Sequence, residues 1–267
     1  MCGIVGALNL AARDRISEGV AAIKHRGPDA QAVWRGSRFW FGHTRLAIID
    51  TSSASEQPFS YDDIVLTYNG ELWNYVALRA ELEKLGRSFN TSGDTEVLAA
   101  ALATWGEEAL PRLEGMFAFA WTSDGGETIT LARDRFGETP LHVFEGAGFF
   151  AFASEVKALR ALGVHPAGIG WLEPGTLLRV DARARRAPRA WYSLPDKAAV
   201  YQDCEEETAR GLVRAGVRAG SLERTISDVP VCMLLSGGID SAAIAYELTR
   251  ALPGIVAYTA TLEGAAS

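Results

Sequence analysis

Three cysteines in 267 residues, at positions 2, 204 and 232, are too few and too widely spaced for a disulfide framework or a zinc site. The four histidines show no HExxH-type spacing. No apolar run approaches the roughly 20 residues of a membrane-spanning helix; the longest, such as Gly115–Trp121 (GMFAFAW), are short. The N-terminus carries no basic leader followed by an apolar stretch, so no signal peptide is expected. Positive charge is not in excess either. Lys and Arg total 26 against 33 Asp and Glu, and the net charge of −7 argues against nucleic acid or an anionic membrane as partner. There is no Walker A loop, internal repeat or low-complexity tract. These absences point to a cytoplasmic protein in a reducing compartment.

What is present is ordinary globular material: 48% hydrophobic and 22% charged residues, enough for a sizeable core. Up to about Trp191 the pattern is short β-rich runs between turn residues. Ile4–Leu10, Phe39–Ile49, Ile64–Tyr68, Met116–Trp121 and Thr128–Arg133 read as strands. Asn74–Leu85 has apolar residues at helical spacing and stops at Gly86, and Asp94–Trp105 is a second helix with Asp94 at a natural capping position. Strands with interspersed helices imply an α+β fold built on a largely antiparallel sheet. A basic, loop-like stretch, Asp181–Arg189, and a Pro195-bearing stretch then mark a boundary near 190–200. Beyond it lie a helical run, Glu205–Arg224, an apolar run of buried-strand type, Val229–Leu235, a helix, Ala242–Leu252, and a strand, Ile255–Leu262. One such β-α-β unit cannot cover a parallel sheet, so the expectation is that the second domain is incomplete.

Cys2 stands directly behind Met1. Aminopeptidases remove an initiator methionine when the next side chain is small, and the exposed residue then has a thiol and its own α-amine as base. A free α-amine ordinarily titrates at roughly 7.7–8.0, which suits the task near neutral pH. A thiol nucleophile also needs an oxyanion hole and substrate anchors. Taken singly, Arg45 reads as a solvated arginine, Asp94 as a helix cap and Asn69-Gly70 as a turn. Arg133, Asp134 and Arg135 read as a structural charge cluster, Cys204 and Cys232 as spectators.

The series is what changes that reading. MCGIVG is followed in order by KHRGPD, HTRLAIID, YNGELWNY, SGDTEVL, GMFAFAW, ARDRFGETPL and FASEVKAL. Over residues 2–192 this resembles the class II glutamine amidotransferase domain of the asparagine synthetase family. The resemblance implies an N-terminal-nucleophile hydrolase fold, an αββα sandwich of antiparallel sheets. It also implies roles: Cys2 as nucleophile, Asn69 and Gly70 as oxyanion hole, and Arg45, Glu71 and Asp94, with Asn69 and Gly70, as the glutamine site.

Ser236–Ser241 (SGGIDS) lies between an apolar strand and a helix, a context that favours anion binding. It resembles the pyrophosphate loop of ATP-dependent adenylating enzymes. That likeness implies ATP contacts from Leu235, Ser236, Gly237, Gly238, Asp240 and Ser241, with Asp240 also a Mg²⁺ ligand. The expected organisation is thus a glutaminase domain over 2–192, a linker over 193–204, and over 205–267 the first part of an α/β ATP-pyrophosphatase domain. The expected function is a glutamine-dependent amide synthetase, with aspartate the first choice of carboxylate acceptor and a homodimer left open. Thr139 stands where the family commonly has lysine, and His142-Val143 where two tyrosines are usual. These departures keep a different acceptor (a sugar acid, peptide or natural-product precursor) among the alternatives, with a free-standing glutaminase if the chain ends at Ser267.

Overall fold

The computed structural model describes residues 1–8, 15–146, 148–181, 187–201 and 203–261. The end of the expected Ile4–Leu10 strand, most of the basic stretch within 181–189, and Leu262 lie outside the described residues. The chain divides into two compact units, Met1–Pro195 and Asp196–Ser267.

The strands of the first unit are β1 (Gly3–Leu8), β2 (Ala30–Arg35), β3 (Phe39–Arg45), β4 (Phe59–Tyr61), β5 (Ile64–Leu72) and β6 (Gly115–Thr122). They continue as β7 (Thr128–Arg133), β8 (His142–Gly146), β9 (Phe149–Ala153), β10 (Ile169–Trp171), β11 (Thr176–Asp181) and β12 (Arg189–Ala190). Its helices are α1 (Ile16–Ala22), α2 (Tyr75–Lys84), α3 (Asp94–Trp105) and α4 (Val156–Ala161). Two six-stranded sheets form, ordered β10-β8-β9-β1-β3-β2 and β12-β11-β7-β6-β5-β4. Every strand pairing in them is antiparallel.

Three apolar layers explain the stacking. One, with Val5, Ala7, Val20, Ala151 and Leu159, lies between the first sheet and helices α1 and α4. A second, with Leu66, Tyr68, Leu98, Phe117 and Phe119, lies between the second sheet and helices α2 and α3. The third joins the sheets face to face through Ile4, Leu8, Phe41, Ala118, Leu131, Phe152 and Leu178. The unit is therefore an αββα sandwich.

Strand alternation decides which residue enters which layer. On β1, Ile4 and Leu8 enter the inter-sheet layer while Val5 and Ala7 face the helices. On β3, Phe39 and Phe41 face inward between the sheets. On β5, Leu66, Tyr68 and Leu72 face the helices, and Val65 packs toward the middle layer. By the same period Cys2, His43, Arg45, Asn69 and Glu71 all face the space between the sheets, at one end of it.

Several elements differ from their expected bounds. The strand from Phe39 stops at Arg45 instead of Ile49, because Arg45 turns its guanidinium onto the carbonyls of Ser52 and Asp50 and curls the following loop. Strand β5 runs on from Tyr68 to Leu72, since Asn69, Gly70 and Glu71 stay paired with Ala118, Phe117 and Met116. Asp94 is the first residue inside α3 and does not cap it; Gly93 holds the cap position.

In the second unit, α5 (Leu194–Ala198) straddles the boundary, and α6 (Glu206–Glu223) and α7 (Ile239–Ala251) pack on each other. Strands β13 (Cys232–Leu234) and β14 (Val256–Tyr258) pair in parallel. The run Val229–Leu235 is shorter as a strand than its apolar length implied, and it is not buried: Cys232 is exposed and Leu234 is 81% exposed. Among the described residues these two strands pair only with each other, and each of their residues except Met233 is exposed.

Gly42 on β3 gives the fold a direct test. A Cβ there would stand 2.3 Å from Val20 Cγ2 and 2.9 Å from Val5 Cγ1. Gly42→Ala is expected to destabilise the unit by ~1–3 kcal/mol in urea unfolding through overpacking. Combined with Val20→Ala, the total loss should be smaller than the sum of the two single losses; strict additivity would show that the helix and sheet do not touch there.

Candidate functional site

The polar end of the inter-sheet layer is assembled from the start of β1, the end of β3, the end of β5 and the start of α3. Cys2 is half-buried, and its Sγ sits 3.4 Å from the Leu46 N–H nitrogen and 3.5 Å from the Leu46 carbonyl oxygen. Burial pushes the thiol pKa up, with the Glu71 and Asp94 carboxylates adding to the effect and the Leu46 hydrogen bond opposing it. The amine in front of it, here that of Met1, is moved the other way, downward, chiefly by burial and further by Arg26. With Met1 attached, the Cys2 nitrogen is a peptide nitrogen and has no lone pair to offer as a base.

Asn69 is fully buried, yet neither its side-chain oxygen nor its nitrogen has a hydrogen-bond partner. Buried amides are almost always satisfied, so an orphaned one on the face that carries the thiol is an acceptor and a donor held ready for something else. Gly70 follows on the same strand. A Cβ there would lie 2.2 Å from the Met116 carbonyl oxygen, so the tight β5–β6 pairing excludes any side chain. The N–H groups of Tyr68 and Leu72 point away from β6, to Gln57 Oε1 at 2.7 Å and Asp94 Oδ2 at 3.0 Å. The two-residue period puts the Gly70 N–H on that same edge, between them.

Asp94 is buried at the start of α3. Its Oδ2 accepts the Tyr68 hydroxyl at 2.9 Å as well as the Leu72 N–H at 3.0 Å. Burial raises its pKa against the pull of those donors. Glu71, half-buried beside it, is pushed up to about 9 by burial and by the Asp94 charge. Two carboxyl groups sharing one pocket cannot both ionise cheaply, so at neutral pH the pair retains a proton and favours a cation. Arg45 is buried, and its Nη1 donates to the Ser52 carbonyl at 2.6 Å while Nη2 donates to that of Asp50. Its guanidinium is thereby anchored to the loop that also carries Leu46. Asp50 braces this loop by accepting from Ser52 N–H and Oγ and from the Ser92 N–H.

The structure thus brings Cys2, Arg45, Asn69, Gly70 and Glu71 to one end of the inter-sheet layer, with Asp94 close to Glu71 from the start of α3. It adds residues to which sequence reasoning assigned no role. Arg26, in KHRGPD, donates from Nε to the Cys2 carbonyl oxygen at 2.8 Å. His43 is buried and its pKa falls to about 4 through burial, so it stays neutral and donates from Nε2 to the Tyr68 carbonyl at 3.0 Å, tying the two sheets together. Tyr68 alternates to the helix side, where it reaches Asp94. The only signal for these residues was their place inside the quoted motifs. Asp134, by contrast, accepts N–H groups of Phe117, Phe136, Glu138 and Thr139, and Arg133 donates to the carbonyls of Thr139, Leu172 and Gly137. Both hold loops.

The second unit places Leu235, Ser236, Gly237, Gly238, Asp240 and Ser241 on one loop and the first turn of α7. Gly237 has φ of +83°, a conformation that favours glycine. Ser236 Oγ and Ser241 Oγ are 3.0 Å apart, Ser241 Oγ donates to the Gly238 carbonyl at 3.0 Å, and Leu235 N–H donates to the Tyr258 carbonyl at 2.9 Å. Asp240 stands exposed in the first turn. Among the described residues no cluster of three or more His, Cys, Asp or Glu side chains could hold a metal ion alone.

The raised Glu71 pKa makes stability depend on pH. Between its unfolded value of 4.5 and about 9 the folded chain binds more protons than the unfolded one, so stability falls as pH rises through that window. Urea midpoints measured across about pH 5–9 are expected to decline, and Glu71→Gln to flatten the decline; equal slopes in both proteins would contradict the assignment.

Comparison with known proteins agrees with this geometry. The family described as "Glutamine amidotransferase domain" matches residues 1–182, and "Asparagine synthase" matches residues 213–267. Asparagine synthetase [glutamine-hydrolyzing] 3 of Bacillus subtilis is 31% identical over 91% of this chain and 44% of its own length. Asparagine synthetase [glutamine-hydrolyzing] 2 of Oryza sativa subsp. japonica is 33% identical over 94% of this chain and 42% of its own length. The chain thus spans a little under half the length of these curated relatives. Among solved structures, the glutamine phosphoribosylpyrophosphate amidotransferase of B. subtilis shares the fold at a TM-score of 0.63 and 21% identity, covering 97% of this chain and 65% of that one. The chain belongs to the glutamine amidotransferase domain family, and the asparagine synthase family matches the residues behind that domain.

Proposed function

We propose that residues 2–192 are a glutaminase whose nucleophile is Cys2 after removal of Met1. The observation that carries this is the buried, unpartnered amide of Asn69, which strand alternation puts on the same inter-sheet face as Cys2. The freed α-amine takes the thiol proton as sulfur attacks the side-chain carbonyl carbon of glutamine. Asn69 Nδ2 and the Gly70 N–H donate to the oxyanion. The amine then returns the proton to the leaving nitrogen, which departs as ammonia and leaves a γ-glutamyl thioester. Water, deprotonated by the same amine, cleaves the thioester to glutamate and restores the thiol. Arg45 holds the α-carboxylate, and Glu71 with Asp94 holds the α-ammonium, which replaces the proton the pair otherwise keeps.

For residues 205–267 we propose the opening part of an ATP-pyrophosphatase domain, joined by a linker over 193–204. Ser236, Gly237, Gly238 and Ser241 would hold the pyrophosphate of ATP, with Leu235 beside the nucleotide. The carboxylate acceptor, aspartate by family likeness, would attack the α-phosphorus, release pyrophosphate and form an acyl-adenylate, which ammonia converts to the amide and AMP. Asp240 would hold a Mg²⁺ ion, which would supply charge neutralisation for the pyrophosphate. No helix among the described residues is long and apolar enough to cross a membrane. The departures at Thr139, His142 and Val143 leave a different carboxylate acceptor as the second reading.

Glutamate release by protein whose intact mass confirms loss of Met1 should vanish in Cys2→Ala. Asn69→Ala should lower kcat by ~10²–10³ while KM changes little, as for loss of an oxyanion donor. Full glutamate release by Cys2→Ala would refute the nucleophile.

Binding itself should release protons. Glutamine titrated calorimetrically into Met1-free Cys2→Ala near pH 7, in buffers of different ionisation enthalpy, should show proton release that is lost in Glu71→Gln. Uptake, or no linkage, would remove the carboxyl pair from the ammonium site.

A further inference from the structure

One dipeptide just beyond β9 bonds to Ile4 directly and to Cys2 through Arg26. Ser154 is fully buried; its Oγ accepts the Ile4 N–H at 3.0 Å, and its own N–H donates to the Ile4 carbonyl at 2.9 Å. Glu155, the next residue, accepts from Arg26 Nη1 at 3.1 Å, His25 Nε2 at 2.9 Å and Lys157 Nζ at 3.0 Å. Arg26 spends its Nε on the Cys2 carbonyl oxygen, and its Nη2 is buried without a partner. Cys2 itself is outside β1, which starts at Gly3, so no strand ladder fixes it. Its carbonyl is located by Arg26, and Arg26 is located by Glu155.

We infer that Ser154-Glu155 is a positioning clamp for the nucleophile, in which Glu155 orients Arg26 and thereby sets the direction of the Cys2 amine and thiol. This rests on the reading of Cys2 as the nucleophile. The clamp acts in two ways. It restricts the backbone on both sides of Gly3, where a Cβ would meet Thr44 Oγ1 at 2.6 Å and Arg26 Cδ at 3.3 Å, so Arg26 packs as well as donates. It also supplies the counter-charge for Arg26, the cation that adds to burial in lowering the pKa of the Met1 amine in front of Cys2. Its own carboxyl is held down at about 2 by its Lys157, Arg26 and His25 partners, so the counter-charge is present at every working pH. The other groups facing the thiol and amine are Glu71 on β5, Asp94 on α3 and, on β3, Arg45 and the neutral His43; none of them pairs with Arg26. Ser154 and Glu155 touch neither the thiol nor the Asn69 amide, so their effect reaches the chemistry only through Arg26 and the backbone.

The test uses the full, Met1-free chain with Glu155→Ala, Glu155→Asp and Glu155→Gln. Steady-state glutamate release is followed alongside alkylation of Cys2 by iodoacetamide, read from the mass of the N-terminal peptide, which needs no turnover. Glu155→Ala is expected to lower kcat about tenfold with KM within about twofold, since misdirection of a nucleophile costs rate more than binding. Glu155→Asp should recover part of the loss. Glu155→Gln keeps the shape and an acceptor oxygen but removes the charge. With Arg26 uncompensated, the protonated amine and neutral thiol are both disfavoured, so the acid limb of kcat/KM and of the alkylation rate should move to lower pH. A structural brace would not move either limb. Parent-like kcat and pH limbs in all three variants would overturn the clamp, as would a loss confined to KM. Should Glu155→Ala fail to fold, the Glu155→Gln profile decides alone: shifted limbs support the clamp and unshifted limbs refute it. A parent that alkylates at Cys2 but releases no glutamate would sink the glutaminase reading, while shifted alkylation in Glu155→Gln would still uphold the clamp.

Discussion

Each side chain on β1, β3 and β5 has two faces to choose between, and the space between the sheets is the face that governs this molecule. Along most of its length that space is filled by Ile4, Leu8, Phe39, Phe41, Phe150 and Phe152 against Ala118, Leu131 and Leu178. At one end the same alternation delivers Cys2, His43, Arg45, Asn69 and Glu71. The apolar part makes the sandwich stable and the polar part makes it a site. No separate element has to be built, because a single change in residue type along three strands converts core into pocket.

Placing so many polar groups in one layer carries a desolvation cost that the structure offsets unevenly. His43 is kept neutral and bonded to the Tyr68 carbonyl, and Arg45 is spent on two carbonyls of its own loop. Asp94 is held by a hydroxyl and a backbone N–H from β5. The exceptions are Asn69, left with nothing, and Glu71, whose neighbour is another carboxyl group. Arg45 and Asp94 are held in place by these bonds, and His43, which has no part in binding, is satisfied by its own. His43 and Asn69 are about equally buried, so the missing partner, and not burial, sets Asn69 apart.

Much of this was legible in the chain. The two-residue rhythm of IVGAL and FWFGH and the ordered series of motifs carry both the α+β architecture and the location of the pocket. What could not be read was partnership across long separations. Asp94 looked like a cap because an aspartate before a helical run usually is one. Only the fold brings Tyr68 and Leu72 to its oxygen. Arg26 and Glu155 are 129 positions apart, and no local pattern announces a pair so distant. The run Val229–Leu235 was legible as a strand but not as an exposed one, because hydropathy reports what a residue prefers and not whether neighbours arrive to cover it. The extent of β5 was missed for a related reason: polar residues at 69–71 end an apolar pattern without ending the hydrogen-bonded ladder.

The Asn69 amide carries a consequence for how such a chain can change over time. A leucine of similar size at that position would remove two unsatisfied polar atoms from a sealed interior, and the resting fold would gain from the exchange. The asparagine therefore sits against the gradient of stability and is held only by what the pocket does when it is full. Drift that relaxed the demand for turnover would be drawn first to this position, leaving a descendant that folds more firmly and reacts less.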